Sequence, residues 1–577
     1  MTLFDQGRIV AQLARGALSW VWRDTHYASP VPRNRKFMSP RDAAALIRDG
    51  DVVAASGLGG HQRASIIYWA IREAFEATGH PAGLTVMNLG GHGGRGLLPG
   101  TLEELGRPGL CTRLISSHFE TFHAMLDLAA AGQCELQCIP FGTMALLFDA
   151  LGSGHESYLT TTGVGTFIDP RVGPGSPVAR STREQLVTPH GEHLRYRIPK
   201  IDVAVFNLPA ADRRGNLYAT HAAMVGESAE IARAAKRNGG RVIANVGRLV
   251  DVDEDRIFLP ADLIDAVVYY PDTEQTAGIF HREPWSMFTT QSDVPIAEAL
   301  ARVDLVNWLT RVTPRRSAAD AAVARLAAAV LLAHVRRGAS IEIGVCFPEQ
   351  VSRIIFEAGR IADVTFLVES GAVGGLPAPG AYFGAALCPQ DLVSSAQLFR
   401  RCYQRLDATC LGVLQADGQG NVNVSKRGDG PRNYVGPGGF IDLTAAAETI
   451  VFVSAWMTHA AVAVDDGRLR IAQRGTPKFV ERVDEVTFNG ARAVAAGKRV
   501  FYATHVGLFR LTTRGMELIG VMPGIDVRRD IMATTAMRII LPRTGRVPTL
   551  PSWIVTGEDF APLTAARRSH RSRRAAP

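Results

Sequence analysis

CxxC pairs are missing from this sequence. Its seven cysteines, Cys111, Cys134, Cys138, Cys346, Cys388, Cys402 and Cys410, are scattered through 577 residues, which argues against a zinc ribbon, a thioredoxin-like motif and a secreted disulfide framework and fits a reducing cytoplasm. HExxH and GxxxxGK[ST] are absent as well, so zincin and P-loop chemistry fall away. The fifteen histidines do not gather at metal-ligand spacing, and no metal is expected. Ser56, in Ala-Ser-Gly-Leu-Gly, is not a GxSxG elbow. Long apolar runs are lacking too. The best membrane candidate, Ala318 to Val335, is broken by Asp320 and Arg325, and Met1 to Trp22 carries Asp5, Arg8 and Arg15 where a signal peptide would be apolar. The expectation is a cytoplasmic protein with no membrane association. Acidic residues are absent after Asp559, where Arg567, Arg568, Arg571, Arg573 and Arg574 follow; taking these five from the net charge of +8 leaves about +3. A body so weakly charged is not a nucleic-acid binder, and the basic end is read as solvated and disordered.

What is present is an ordinary globular composition, with 46% hydrophobic and 20% charged residues, in a chain long enough for two to four domains. Short β-branched runs alternate with alanine- and arginine-rich stretches, the pattern of βαβ units and parallel sheets. Strands are expected over Asp51 to Ala55, Leu84 to Asn88, Ile201 to Phe206, Arg241 to Asn245, Ile341 to Val345, Val364 to Val368 and Thr449 to Val453, and helices over Arg63 to Ala77 and Gly226 to Arg237. Ser317 with Asp320 marks a capping box that opens another helix.

Three pieces recur. Asp212-Arg-Arg-Gly-Asn216 is echoed by Asp417-Gly-Gln-Gly-Asn421 at an offset of 205, Gly90-Gly-His-Gly-Gly94 by Gly371-Ala-Val-Gly-Gly375 at 281, and Gly50-Asp-Val-Val53 by Gly338-Ala-Ser-Ile341 at 288. The fold class is therefore α/β: two similar but unequal open α/β domains, with the active site between them. The shrinking offset assigns about 76 extra residues to the first copy, much of them in the Gly/Pro-rich stretch Gly163 to Pro199, read as an excursion or lid.

Val364-Thr-Phe-Leu-Val-Glu369-Ser-Gly371-Ala-Val-Gly374 delivers one carboxylate at the C-terminal end of an apolar strand into a glycine-rich loop. That is where open α/β sheets bind ligands. Gly436-Pro-Gly438-Gly439-Phe440 is a second glycine turn, able to aim bare backbone N–H groups at a developing oxyanion. Taken alone, the first reads equally well as a capped turn and the second more readily as a tight turn with a bulge.

Together these two motifs resemble the paired motifs of the family I CoA-transferases, closest to the acetate/propionate CoA-transferase branch, in which both halves are fused in one chain. The resemblance runs from about Phe37 to about Leu541, with support from Gly163-Val-Gly-Thr-Phe-Ile-Asp-Pro-Arg171, Gly344-Val-Cys-Phe-Pro-Glu349 and Met522-Pro-Gly-Ile-Asp526. It divides the chain into an N-terminal extension (1–36), an N-terminal CoA-transferase half (37–310), a C-terminal half carrying the glutamate (311–545) and a basic, disordered tail (546–577). It implies ping-pong transfer of CoA from an acyl-CoA to a short- or medium-chain carboxylic acid through a glutamyl-CoA thioester. Glu369 is then the nucleophile, Gly438 and Gly439 the oxyanion donors, and Gly371, Gly374, Gly436, Phe440 and Phe141 line the CoA and substrate site. No permanently bound cofactor is implied, CoA thioester entering as substrate, and a homo-oligomer, dimer or tetramer, is. One departure stands out: Pro140-Phe141-Gly142 replaces the family's Pro-Gln-Gly, removing an amide donor that His61 or His92 would have to supply.

An acyl-CoA hydrolase using the same glutamate is the alternative reading, and sequence barely separates the two. A non-enzymatic CoA-binding regulator is disfavoured by the intact nucleophile and glycine turn. A dinucleotide oxidoreductase is disfavoured because Gly91-His-Gly-Gly-Arg-Gly96 lacks an acidic residue about twenty positions on that ends a second strand.

Overall fold

The β-branched runs of the first half become strands buried on both faces. In the computed structural model, which describes residues 3–94, 98–178, 184–313, 316–558 and 560, these are Val52–Ala55 (β1), Leu84–Met87 (β2), Cys111–Ser116 (β3), Glu135–Cys138 (β4), Val203–Asp212 (β5), Arg241–Val250 (β6) and Ala266–Tyr269 (β7). They pair in the order β7-β6-β5-β1-β2-β3-β4, all parallel. All ten residues of β5 are buried, as expected of a central parallel strand covered on both sides. Helices Leu3–Val21 (α1), Ser65–Thr78 (α2), Phe141–Gly152 (α3) and Ser228–Arg237 (α4) accompany this sheet. α2 ends because Gly79, at φ +78°, turns left-handed and returns its N–H to the Phe75 carbonyl at 2.7 Å. Tyr158–Thr160, just before the Gly/Pro-rich excursion, forms a small antiparallel sheet with His193–Tyr196 and Val187–His190 inside it.

The second half forms Ala339–Ile343 (β8), Val364–Leu367 (β9), Leu406–Gly412 (β10), Ala447–Val453 (β11), Arg499–Ala503 (β12), Gly507–Thr512 (β13) and Gly515–Val521 (β14), in the order β9-β8-β10-β11-β12-β13-β14. The first five are parallel and the last two add antiparallel. The helix Ala318–His334 (α5) opens with the expected capping box of Ser317 and Asp320, an arrangement worth about 1 kcal/mol.

The repeats are structural. Asp212 Oδ1 accepts from the N–H groups of Arg214, Gly215 and Asn216, and Asp417 Oδ1 accepts from those of Gln419 and Asn421. Gly50 and Gly338, at φ +77° and +78°, enter the matching strands β1 and β8. The first copy's surplus includes two whole strands, β3 and β4, and not the excursion alone.

The two compact units are interleaved along the chain. The first comprises Met1–Thr313, Val368–Arg401 and Gly428–Asp442, and the second Pro314–Leu367, Cys402–Arg427 and Leu443–Pro577. The segments carrying Glu369 and the glycine turn, allotted by sequence to the C-terminal half at 311–545, thus belong to the first unit. The N-terminal extension is also part of that unit: Trp20 Nε1 donates to Glu274 at 3.0 Å, and Arg15 pairs with Glu283 at 3.1 Å.

The boundary of the basic tail moves as well. Leu550 N–H donates to the Val521 carbonyl at 2.8 Å, and the short helix Trp553–Thr556 offers its Ile554 and Val555 carbonyls to the Arg325 guanidinium at 2.7 and 2.6 Å. Residues 548–557 are therefore packed, whereas the five arginines lie outside the described residues. Among the described residues no helix is long and apolar enough to cross a membrane.

Candidate active site

β9 is followed at once by a four-residue turn, Val368 to Gly371, closed by the Gly371 N–H on the Val368 carbonyl at 2.8 Å. Glu369 occupies the second position of this turn, half-buried. Gly371 is required twice over: its φ is +110°, and a Cβ would lie 1.8 Å from the Val393 carbonyl oxygen. Gly374, at φ +75°, lies against the Gln390 side chain. Both glycines, expected to line the CoA and substrate site, are closely packed on the side a Cβ would occupy, Gly371 by backbone and Gly374 by a side chain.

The glycine turn sits at the carboxyl ends of the first unit's strands. Gly436, at φ +79°, lies against Ser117 and His118 just beyond β3, where a Cβ would be 2.4 Å from the Ser117 carbonyl oxygen. The same carbonyl accepts the Gly438 N–H at 3.0 Å, and the Gly438 carbonyl accepts the Phe141 N–H at 3.1 Å. Gly438 is therefore revised as an oxyanion donor, because its N–H is already committed. Gly439 differs: its N–H donates to the Glu369 carboxylate, and a Cβ placed on it would fall 2.2 Å from Glu369 Oε1. Phe440, buried, begins the helix Phe440–Ala446 (α7) and returns its N–H to the Pro437 carbonyl at 3.1 Å.

Burial pushes the Glu369 carboxyl up to about 7; the negative charge of Asp442 adds to this, and the Gly439 N–H opposes it. A carboxyl that titrates near 7 is ionised in about half of the molecules at neutral pH, and its ionised form is more basic than an ordinary carboxylate and correspondingly more nucleophilic.

Phe141 opens α3 and is only 2% exposed, its ring 5.8 Å from that of Phe399 on the helix Ser395–Gln404 (α6). Phe399 in turn lies 3.2 Å from the Cβ position of Gly439. Sequence reasoning missed Phe399, whose only signal is an apolar position on an amphipathic helix thirty residues after the motif. Asp442 was missed too. It is fully buried and accepts from the N–H groups of Gly142 and Thr143 at 2.9 and 2.8 Å and from Thr143 Oγ1 at 2.7 Å.

The histidines considered as replacement donors each commit Nε2 elsewhere. His61 Nε2 lies 3.1 Å from the Tyr382 carbonyl oxygen and His92 Nε2 3.1 Å from the Tyr68 hydroxyl, and burial lowers their pKa values to about 4 and about 3. The neighbouring Arg63 forms a buried ion pair with Glu274. The offset of 281 that aligns the two glycine loops places Asn88 opposite Glu369. Asn88 is buried and spends its amide on the Ala55 and Gly57 carbonyls and on the Gly90 N–H, so only one copy of the repeat carries a carboxylate here.

Comparison with known proteins gives the family of the chain. The family model described as Coenzyme A transferase matches residues 37–269. Caffeate CoA-transferase of Acetobacterium woodii is 31% identical over 517 residues, covering 86% of this chain and 93% of that protein. Acetate CoA-transferase YdiF of Escherichia coli O157:H7 is 27% identical over 510 residues, covering 86% and 91%. The crystal structure of the YdiF apoenzyme from Escherichia coli O157:H7 shares the fold with a TM-score of 0.78 at 23% identity, over 91% of this chain and 97% of that one. A YdiF structure described as a thioester complex with CoA matches at 0.79 and 24% identity, over 93% and 99%. The chain belongs to the family I CoA-transferases, in the form that fuses both halves in one polypeptide. It is a CoA-transferase enzyme.

Proposed function

We propose that the enzyme moves CoA from an acyl-CoA to a short- or medium-chain carboxylic acid by a ping-pong mechanism through a glutamyl-CoA thioester on Glu369. The observation that carries this reading is the Glu369 carboxylate set directly against the Gly439 backbone, where a Cβ would fall 2.2 Å from Oε1. Glu369 attacks the thioester carbonyl and expels CoA thiolate, forming an acyl-glutamyl anhydride. The thiolate then attacks the glutamyl carbonyl of that anhydride and releases the first acid. The second acid reverses both steps, so thioester energy is conserved throughout. Gly439 orients the carboxylate before attack and remains within reach of the oxygen that becomes negative; a lost donor of this kind costs about a hundred- to thousandfold. Phe141 and Phe399 make the apolar wall of the acyl site. The reading includes a cytoplasmic homo-oligomer that needs no resident cofactor or metal.

The test is chemical trapping. Incubation with an acyl-CoA and no acceptor should convert Glu369 to its CoA thioester, which borohydride reduces to an alcohol with irreversible loss of activity. A peptide spanning Val364 to Gly380 should carry the mass change, and protein treated with borohydride alone should be spared. Full transfer by Glu369→Ala would sink the proposal. A labelled enzyme that releases CoA to water as fast as to any carboxylate would make it a hydrolase instead.

A further inference from the structure

The mechanism above leaves one fully buried carboxylate of the site unused. Asp442 lies three residues after Gly439, on the first turn of α7, and accepts three hydrogen bonds from the opening residues of α3: Gly142 N–H at 2.9 Å, Thr143 N–H at 2.8 Å and Thr143 Oγ1 at 2.7 Å. Those donors and the positive end of α3 favour the ionised form of a carboxylate at zero exposure. These three bonds tie the Phe141 turn to the glycine turn, which the Phe141 N–H also holds through the Gly438 carbonyl at 3.1 Å.

We propose that Asp442 is a positioning residue for Glu369, locking the Phe141 turn against the glycine turn and supplying a fixed negative charge close to the nucleophile. This rests on Glu369 being the nucleophile. The charge acts as a second control beside burial, because a like charge nearby disfavours ionisation and keeps the attacking oxygen basic. The other charged groups on the surrounding helices are balanced among themselves: Arg400 of α6 pairs with Asp149 of α3, and Arg401 pairs with Asp391 at 3.3 Å. Two phenols also feel the Asp442 charge. Burial first and the Asp442 charge second raise the pKa of Tyr158, and the same two causes lead at Tyr196, so both stay neutral in the working range.

The experiment compares the pH dependence of kcat/KM for the acyl-CoA, which reports the free enzyme, in wild type, Asp442→Asn and Thr143→Val. Titration of the substrate is common to all three and cancels. Asparagine removes the charge, so the acid limb should move about one unit to lower pH while the plateau falls through lost positioning. Valine removes one donor that balances Asp442, so the limb should move to higher pH. A purely structural role lowers plateaus without displacing limbs in opposite directions. Should Asp442→Asn fail to fold, Thr143→Val decides alone: a limb at higher pH supports the inference and an unmoved or lowered limb overturns it. Borohydride trapping of the wild type runs in parallel. No label on Glu369 overturns the nucleophile and this inference with it, whereas a labelled Glu369 with unmoved limbs overturns only the role of Asp442.

Discussion

Gly439 lies so close to Glu369 that the smallest side chain would strike the carboxylate, its Cβ falling 2.2 Å from Oε1. The glycine is needed for this approach and not for its backbone angle, since Gly439 is not among the residues with left-handed φ. The atom in the way is the free end of a flexible side chain, which can swing aside cheaply. Gly439→Ala should therefore remain folded, while kcat falls about a hundred- to thousandfold because nucleophile and donor no longer meet. Steady-state transfer assays read this directly, and a variant that keeps more than a tenth of wild-type kcat contradicts it.

Gly371 offers the opposite outcome. Its Cβ would meet the Val393 backbone oxygen at 1.8 Å, and its φ of +110° strains any other residue. Neither problem is relieved by a side-chain rotation. Gly371→Ala should lose more than about 3 kcal/mol of stability, read as a depressed urea midpoint or insoluble protein. Wild-type stability would show that the turn can be rebuilt.

The acyl wall is testable at Phe399, which touches both Phe141 and the Gly439 turn. Phe399→Leu keeps an apolar side chain and opens space beside Glu369. The ratio of kcat/KM for a branched or longer acid against acetate should rise about tenfold, within the 1 to 3 kcal/mol that a pocket contact is worth. An unchanged ratio removes the aromatic pair from the acyl site.

These residues mark where sequence stops being informative. Strands β1, β2, β5, β6, β8, β9 and β11 were legible because parallel strands buried on both faces read as unbroken β-branched runs. α5 was legible from its capping box, and Glu369 from a carboxylate set among glycines. The commitment of the Gly438 N–H to Ser117 was not, because backbone pairing depends on a neighbour 321 residues away in sequence whose carbonyl carries no residue signature. For the same reason, nothing local announces that Val368–Arg401 and Gly428–Asp442 fold with the first unit. The packed end at residues 548–557 was hidden by the arginines that follow it.

That end makes a second stability prediction. Truncation after residue 545 removes the Thr549 bridge to Val521, the Leu550 cover and the two carbonyls held by Arg325, whose guanidinium is left partly buried without them. An unpaired buried donor alone costs about 1 to 3 kcal/mol, so the urea midpoint should fall clearly. Deletion of 561–577, which takes the five arginines and spares these contacts, is the comparison and should leave transfer activity nearly unchanged. Equal stability of the two truncations contradicts the packing of this end.

The raised pKa of Glu369 makes a prediction that needs no substrate. Its carboxyl titrates near 7 in the folded protein and near the ordinary 4.5 when unfolded. Between those values the native state holds more protons than the unfolded state, so stability falls as pH rises through this window. Below about 4.5 both states are protonated and the penalty vanishes, while above about 7 it is complete, on the order of 2 to 3 kcal/mol. Glu369→Gln replaces the carboxyl with a neutral group of nearly the same shape. It should match the wild type near pH 4.5, gain on it progressively through pH 6, and unfold at higher denaturant at pH 8 despite being inactive. Taking the difference between the two proteins at each pH cancels the titrating groups that do not interact with Glu369. A difference that does not change with pH would mean that Glu369 carries an ordinary pKa, and the nucleophile would lose the basicity on which its reaction depends.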